Sequence, residues 1–208
     1  KPQTVPIGQD GSQTAPTNPL FSLQLTPSLQ KEWVRLPDFP GPARIQPVLT
    51  AQQSEDGIRL YLAGGFQPAS AHQEAIVCTD MLSYHPKTKQ WRNEGFLPSL
   101  AGGSHRTVTG GCAIASGDSS ILLVGGVNYD RFRDALNHPE PDYLRHPTDW
   151  YKFNTFTKHW THLGNYEELA RAGAGIANNA NTVIIIGGEL KPGIRTPEVN
   201  AFKLTCHP

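Results

Sequence analysis

Three apolar runs along the chain end in the same way, in a pair of glycines. They read LYLAGGF (60–66), ILLVGGV (121–127) and VIIIGGE (183–189). Each is apolar at consecutive positions, as in strands buried on both faces, and a glycine pair permits a sharp exit or a close backbone approach. A shorter run rich in small residues precedes each one, namely IQPVLTA, GGCAIAS and GAGIANN. The pattern predicts two inner strands, repeated three times.

A second pattern follows the first two glycine pairs, in which an aromatic residue and a polar turn lead to Trp. It reads LSYHPKTKQW (82–91) and YKFNTFTKHW (151–160), and FSLQLTPSLQKEW (21–33) is a third copy without its Gly-Gly half. Each copy predicts two strands, with Trp33, Trp91 or Trp160 packed in the outer one. The whole unit is four antiparallel strands with a period of roughly 60 residues, against about 50 for kelch repeats, which is typical of a propeller blade.

The repeats predict an all-β, kelch-type β-propeller of which this chain holds roughly three blades, in a ring of about 4 to 8. Because an open half-ring exposes unpaired strand edges, we expect the remaining blades to come from a longer chain, a second fragment or an oligomer partner. The predicted divisions are a flexible leader or linker (1–19), the outer strands of a blade (20–40), two blades (43–97 and 102–163) and a truncated blade (171–208).

Composition narrows the classes of function. Lys and Arg number 18, as do Asp and Glu, and no basic block exceeds two residues, which argues against nucleic-acid binding. No apolar run approaches the roughly 18 residues of a membrane span. Cys78, Cys112 and Cys206 show no C-x-x-C spacing and allow either one disulfide or three free thiols. The histidines show no H-x-H or H-E-x-x-H spacing, so no metal site is expected.

Polar residues are predicted to gather at one end of the blades. In an up-and-down blade, the loop between the second and third strands opens on the same face as the segment that leads into the next blade. These are also the longest and most polar connections, and function usually lies on such loops. The residues collected there are Arg44, His105, Arg106, Asn128, Arg171, Glu189 and Arg195.

Three stretches go beyond a generic kelch repeat: GGVNYDRFRDALN (125–137), WYKFN (150–154) and GGELKPGIRTPEV (187–199). They resemble the N-acetylneuraminate epimerase (sialic acid mutarotase) family, and most closely its cyclically permuted branch. The resemblance implies a six-bladed ring, of which this chain supplies about half. It also implies an isomerase that interconverts the anomers of N-acetylneuraminate without a cofactor, in the periplasm or outside the cell.

The resemblance places the family's catalytic Glu and Arg, found in a Glu-x-Lys-Pro-Gly-x-Arg context, on Glu189 and Arg195. Ring opening requires a positioned acid/base, a role suited to Glu189. Arg195 suits the sugar carboxylate or a developing oxyanion. Asn128, Arg44 and Arg171 are further substrate-binding candidates. Structural alternatives remain open: Glu189 as a hydrogen-bond acceptor for the next loop, Arg195 in a salt bridge, and Asn128 as a turn residue.

Two rival functions fit the same fold, because fold does not fix function. The first is a non-catalytic kelch module that binds glycan or protein, which a neutral pocket without a paired Glu and Arg would favour. The second is an oxidase of the galactose-oxidase type, which requires copper bound by His and Tyr. The Glu and Arg of the third repeat favour the mutarotase over the binding module, and a metal assay would decide the case of the oxidase.

Overall fold

The computed structural model describes residues 18–25, 31–69, 73–99, 107–127, 148–179, 181–191 and 194–204. Within these ranges the regular structure is β, apart from one 3-10 turn at Glu167–Leu169. The predicted all-β class is therefore confirmed. No helix among these residues is long and apolar enough to cross a membrane.

The chain begins its described part with a hairpin. Strand β1 (Leu20–Leu25) pairs antiparallel with β2 (Lys31–Leu36). These are the two strands predicted from the isolated aromatic-and-Trp pattern. Trp33 is 59% exposed here, in contrast to its predicted packing, because no inner strand of the described chain pairs with this hairpin.

The first complete sheet has four antiparallel strands in the order β3-β4-β7-β8. A two-stranded hairpin, β5-β6, interrupts it where the chain leaves the Gly64-Gly65 pair. The strands are β3 (Val48–Ser54), β4 (Gly57–Ala63), β5 (Phe66–Gln67), β6 (Ile76–Val77), β7 (Asp80–His85) and β8 (Gln90–Phe96).

The second sheet repeats this topology, and the third repeats three of its strands. The second runs β9 (Cys112–Ser116), β10 (Ser120–Val124), β11 (Asp149–Asn154) and β12 (Trp160–Asn165). The third pairs β13 (Gly175–Asn179), β14 (Thr182–Ile186) and β17 (Val199–Lys203), with β15 (Glu189–Lys191) and β16 (Ile194–Arg195) as its inserted hairpin.

The sheets stack face to face, which explains the unbroken apolar run of β10, whereas on β14 only Val183 and Ile185 are buried and Ile186 is 49% exposed. On β10, Ile121 and Leu123 belong to the core shared with the first sheet, while Leu122 and Val124 belong to the core shared with the third. The inner strands β3, β9 and β13 lie side by side. Innermost strands that are neighbours, with sheets fanning outward from them, form a β-propeller, so the predicted fold is confirmed.

The aromatic-and-Trp pattern packs as predicted in the two complete sheets. Trp91 lies 5.1 Å from Tyr84, and Trp160 lies 4.8 Å from Phe153, between ring centroids. Cys78 and Cys112 are buried free thiols, and burial raises the pKa of each. Cys206 lies outside the described residues.

Candidate functional site

The segments that lead into β3, β9 and β13 form a short backbone ladder. The amide of Gly110 donates to the carbonyl of Gln46 at 3.0 Å, and the amide of Gly173 donates to the carbonyl of Gly110 at 2.6 Å. All three residues have left-handed φ values, 53°, 68° and 62° along the ladder. The lead-in segments of three successive blades therefore cross one end of the molecule side by side.

The hairpin β15-β16 is fixed to this ladder through Glu189. The Glu189 amide donates to the Ala172 carbonyl at 2.8 Å, and the Ala172 amide donates to the Glu189 carbonyl at 3.0 Å. The other side of the hairpin is fixed by Thr196, whose amide donates to the Gly188 carbonyl at 3.0 Å. Glu189 therefore lies directly after β14 and the glycine pair, beside the lead-in segment of its own blade.

Glu189 and Arg195 are directly opposite each other in the hairpin register. Residues opposite each other in an antiparallel pair present their side chains on the same face, with Cβ atoms about 5 Å apart. Arg195 is exposed and Glu189 is partly buried. The structure thus brings together the two residues that the sequence paired, and their chemical roles stay a prediction.

Arg171 lies behind the hairpin, in the framework. Its side chain is only 2% exposed, and it donates from Nη1 to the carbonyls of Gly187 and Glu198, both at 3.2 Å. From Nη2 it donates to Glu198 Oε2 at 2.9 Å and to Asn200 Oδ1. These contacts tie the end of β14 to the start of β17, so Arg171 fixes the backbone from which Glu189 projects.

Arg44 makes the corresponding contacts in the first blade. It donates from Nη1 to the Gly64 carbonyl at 3.2 Å and to Asp80 Oδ1 at 2.7 Å, and from Nη2 to Asp80 Oδ2 at 3.2 Å. Its guanidinium also lies over the Phe39 ring, 5.5 Å from the centroid. Both guanidinium groups are buried among protein partners and hold the backbone of their blades. A sugar-binding role for Arg44 and Arg171 stays a prediction.

Other residues predicted at this end lie outside the described part of the chain: His105, Arg106 and Asn128. Gln46, which the sequence analysis did not single out, is an exposed residue of the ladder. The signal available in the sequence was weak, since it consists of a glutamine in one lead-in segment where the other two carry glycine. Within the described ranges, no group of three or more His, Cys, Asp or Glu side chains is arranged to hold a metal ion.

Comparison with known proteins is consistent with this geometry. A sequence model described as N-acetylneuraminate epimerase matches residues 10–140. The chain is 27% identical over 215 residues to the N-acetylneuraminate epimerase of Pasteurella multocida (strain Pm70), covering 93% of this chain and 52% of that protein. It is 28% identical over 192 residues to the enzyme of that name from Haemophilus influenzae (strain PittEE), covering 84% and 49%.

A solved structure supports the fold. The structure titled "Structure of YjhT" superimposes with a TM-score of 0.67 at 24% sequence identity, covering 92% of this chain and 60% of that one. The chain therefore spans about half the length of the curated relatives it matches.

Proposed function

Because this chain belongs to the N-acetylneuraminate epimerase family, we propose that it carries the acid/base pair of a mutarotase acting on N-acetylneuraminate or a related acidic sugar. The observation that supports this most directly is the register of β15-β16, which sets Glu189 opposite Arg195. A carboxylate and a guanidinium on one face of a hairpin suit a substrate that carries both a titratable hydroxyl and a carboxylate.

The proposed reaction opens and recloses the sugar ring. Glu189 takes the proton of the anomeric hydroxyl as the bond from the anomeric carbon to the ring oxygen breaks, and it passes that proton to the ring oxygen. The resulting open-chain ketone turns its carbonyl over, and the reverse steps close the ring on the other face. Arg195 holds the sugar carboxylate and stabilises negative charge that develops beside it. No net proton or electron is consumed.

We further propose that the ring is completed by blades beyond those described here, and that the protein acts in the periplasm or outside the cell. Support for completion comes from the edges of the described sheets. The third sheet has three strands where the other two have four, and Val199 on its last strand is 61% exposed. Unpaired edges of this kind are normally covered in native proteins.

The test is an NMR time course of α-N-acetylneuraminate converting to the β anomer, with the intact ring as catalyst. Glu189→Gln removes the titratable carboxylate but keeps the shape, and we expect a rate loss of about 10²- to 10⁴-fold. Arg195→Ala is expected to raise KM for the acidic sugar. Asp118→Asn, the same kind of change in the exposed turn after β9, is the matched control and should leave the rate unchanged.

Two results would count against the proposal. If a folded, complete ring does not accelerate the exchange over its spontaneous rate, the non-catalytic glycan-binding propeller becomes the better reading. If Glu189→Gln retains full rate while the wild type is active, the acid/base group lies elsewhere in the ring.

A further inference from the structure

Gln46 has a backbone conformation that side chains other than glycine rarely adopt. Its φ is 53°, in the left-handed region. The residues at the same step of the ladder in the next two blades are both glycine, Gly110 and Gly173. The other described non-glycine residues with positive φ, Lys89 and Lys158, lie in turns that join outer strands, where this conformation is common. A strained residue outside such turns is a reason to look for a function.

The Gln46 side chain extends along the ladder toward the third blade. A Cβ built on Gly110 would lie 3.8 Å from Gln46 Oε1 and 3.6 Å from the Ala172 Cβ. The amide of Gln46 therefore lies over Gly110, on the side where Ala172 follows. Ala172 is in turn bonded through its backbone to Glu189, at 2.8 Å and 3.0 Å.

Gly173, the step of the ladder beside Ala172, is exposed. A Cβ on Gly173 would meet no heavy atom within 4 Å, so space lies above the ladder at that step. Gln46 and Gly173 are two backbone steps apart, or about 10 Å at the spacing of hydrogen-bonded strands. The Gln46 amide covers the first of these steps, so the step that stays open is the one at Gly173, beside Ala172 and next to Glu189.

We infer that Gly110, Ala172 and Gly173 form a shelf for the sugar, and that Gln46 is a substrate-binding residue at the end of the shelf opposite Glu189. The inference rests on the proposed function and extends it. A primary amide both donates and accepts hydrogen bonds, so it pairs with a hydroxyl or an acetamido group. The Gln46 side chain is exposed and forms no hydrogen bond with the rest of the described chain, so its amide is available to a ligand.

A purely structural role makes a different prediction, because glycine is the residue used at this step in the other two blades. Gln46→Gly keeps the ladder and relieves the left-handed backbone, so the fold should be unharmed. If Gln46 binds the sugar, the same change raises KM by about 3- to 10-fold, the loss of one hydrogen bond, with a smaller change in kcat. Gln46→Glu keeps the shape, loses the donor and adds a negative charge, and should raise KM further for an acidic sugar.

The experiment measures KM and kcat for N-acetylneuraminate in the intact ring, together with direct binding of that sugar by saturation-transfer NMR. Lys89→Gly is the matched control, since it relieves a φ of 57° in the turn between β7 and β8. We expect Lys89→Gly to leave KM and binding unchanged. Unchanged KM and binding in both Gln46 variants would overturn the inference while leaving the mutarotase proposal intact.

The binding measurement separates the two proposals. A wild-type ring that binds the sugar without accelerating anomer exchange contradicts the mutarotase, and weaker binding by Gln46→Gly then still supports the shelf. A wild-type ring that neither binds nor accelerates contradicts both.

Discussion

Hairpins β5-β6 and β15-β16 occupy the same place in two blades and share a backbone plan. In the first, Gly64 donates to the Asp80 carbonyl and Cys78 to the Gly65 carbonyl. In the second, Gly187 donates to the Glu198 carbonyl and Thr196 to the Gly188 carbonyl. The register pairs Phe66 with Val77 in one hairpin and Glu189 with Arg195 in the other.

The difference between the hairpins lies in the side chains that this shared plan presents. Behind each, a buried arginine bonds the first glycine carbonyl and an acid at the start of the third strand, as Arg44 does with Asp80 and Arg171 with Glu198. The first blade uses the frame to hold an apolar pair. The last blade uses it to hold a carboxylate and a guanidinium, the pair that we propose for catalysis.

The largest expected effect comes from making the last hairpin resemble the first. The double variant Glu189→Phe with Arg195→Val reproduces the Phe66 and Val77 pair while keeping the backbone bonds. We expect anomer exchange to fall by at least about 10²-fold, as for loss of an acid/base group, with the free energy of unfolding changed by less than about 1 kcal/mol. NMR exchange rates and urea denaturation measure the two quantities.

The reverse exchange is the control for that experiment. Phe66→Glu with Val77→Arg places the charged pair on the first hairpin, which is bonded to Ile45 at the Gln46 end of the shelf. Added to the double variant of the last hairpin, this change should not restore the rate, because the pair then lies at the wrong end of the shelf. If the double variant of the last hairpin unfolds, Glu189 and Arg195 hold the blade together. The two hairpins then differ in stability and not only in the side chains that they present.

Of the two buried arginines, Arg44 should matter more for stability and Arg171 more for the rate of anomer exchange. Asp80 is 20% exposed and Glu198 is 65% exposed, so the ion pair of Arg44 is the better shielded one. We expect Arg44→Ala to cost about 3–5 kcal/mol, as for a broken buried pair. Arg171→Ala should cost about 2–3 kcal/mol, mainly from backbone carbonyls left without their donor.

We expect the order to be reversed for kcat, because Arg171 supports the backbone of Glu189, whereas Arg44 supports the first hairpin and the lead-in segment that carries Gln46. Exchange rates measured at a temperature where both variants are folded should be lower for Arg171→Ala. Equal rates in the two variants would show that the frame behind Glu189 does not position it.

Much of the architecture was predictable from the sequence because each repeat carries the same residue types at corresponding positions. Apolar runs ending in Gly-Gly indicate strands buried on both faces, and β10 shows why, with Leu122 and Leu123 facing different cores. The aromatic-and-Trp pattern identified β7-β8 and β11-β12. It failed for Trp33, since packing of that side chain depends on inner strands that the described chain does not provide.

The candidate site was less predictable, for a physical reason. Glu189 and Arg195 could be paired from a local motif, because they are only six positions apart and the Pro-Gly dipeptide between them favours a turn. For Arg44 and Arg171, sequence places them at the correct end but does not reveal that carboxylates and backbone carbonyls of their own blades surround them. Gln46 carried almost no signal, because its importance depends on a φ value and on the glycine of the neighbouring blade.

A smaller effect is expected at Gly188, the second glycine of the pair before β15. The site compared with it is Gly95, and the two differ in the space around them. Gly188 and Gly95 have similar φ values, 106° and 101°. A Cβ on Gly188 would lie 3.0 Å from the Ala174 Cβ, whereas one on Gly95 would meet nothing within 4 Å. Both changes to Ala strain the backbone, by about 1–3 kcal/mol.

Gly188→Ala should lower the free energy of unfolding by about 1–3 kcal/mol more than Gly95→Ala does, because of overpacking. It should also slow anomer exchange, because it displaces Glu189. Urea denaturation of the two variants isolates the overpacking, since the backbone strain is common to both. Equal losses of stability would mean that the third lead-in segment shifts freely to admit the methyl group.

The smallest effect on activity is expected for Glu94, a carboxylate in the outer strands. Its substitution tests whether residues away from the hairpin β15-β16 take part in catalysis. Glu94 is 3% exposed and accepts from Ser83 Oγ at 2.5 Å and Arg92 Nε at 2.8 Å. Burial raises the pKa of Glu94, but these hydrogen bonds outweigh it, so its pKa lies below the usual 4.5. A lowered folded-state pKa stabilises the protein above about pH 4.5 and ceases to do so as pH falls through the folded value. Glu94→Gln should therefore lower the free energy of unfolding by about 1–2 kcal/mol at pH 7, and the difference from the wild type should shrink as the pH falls. Anomer exchange should stay unchanged, because the residue lies outside the shelf and the hairpin β15-β16. A slower exchange rate in a fully folded variant would extend the functional region to these strands.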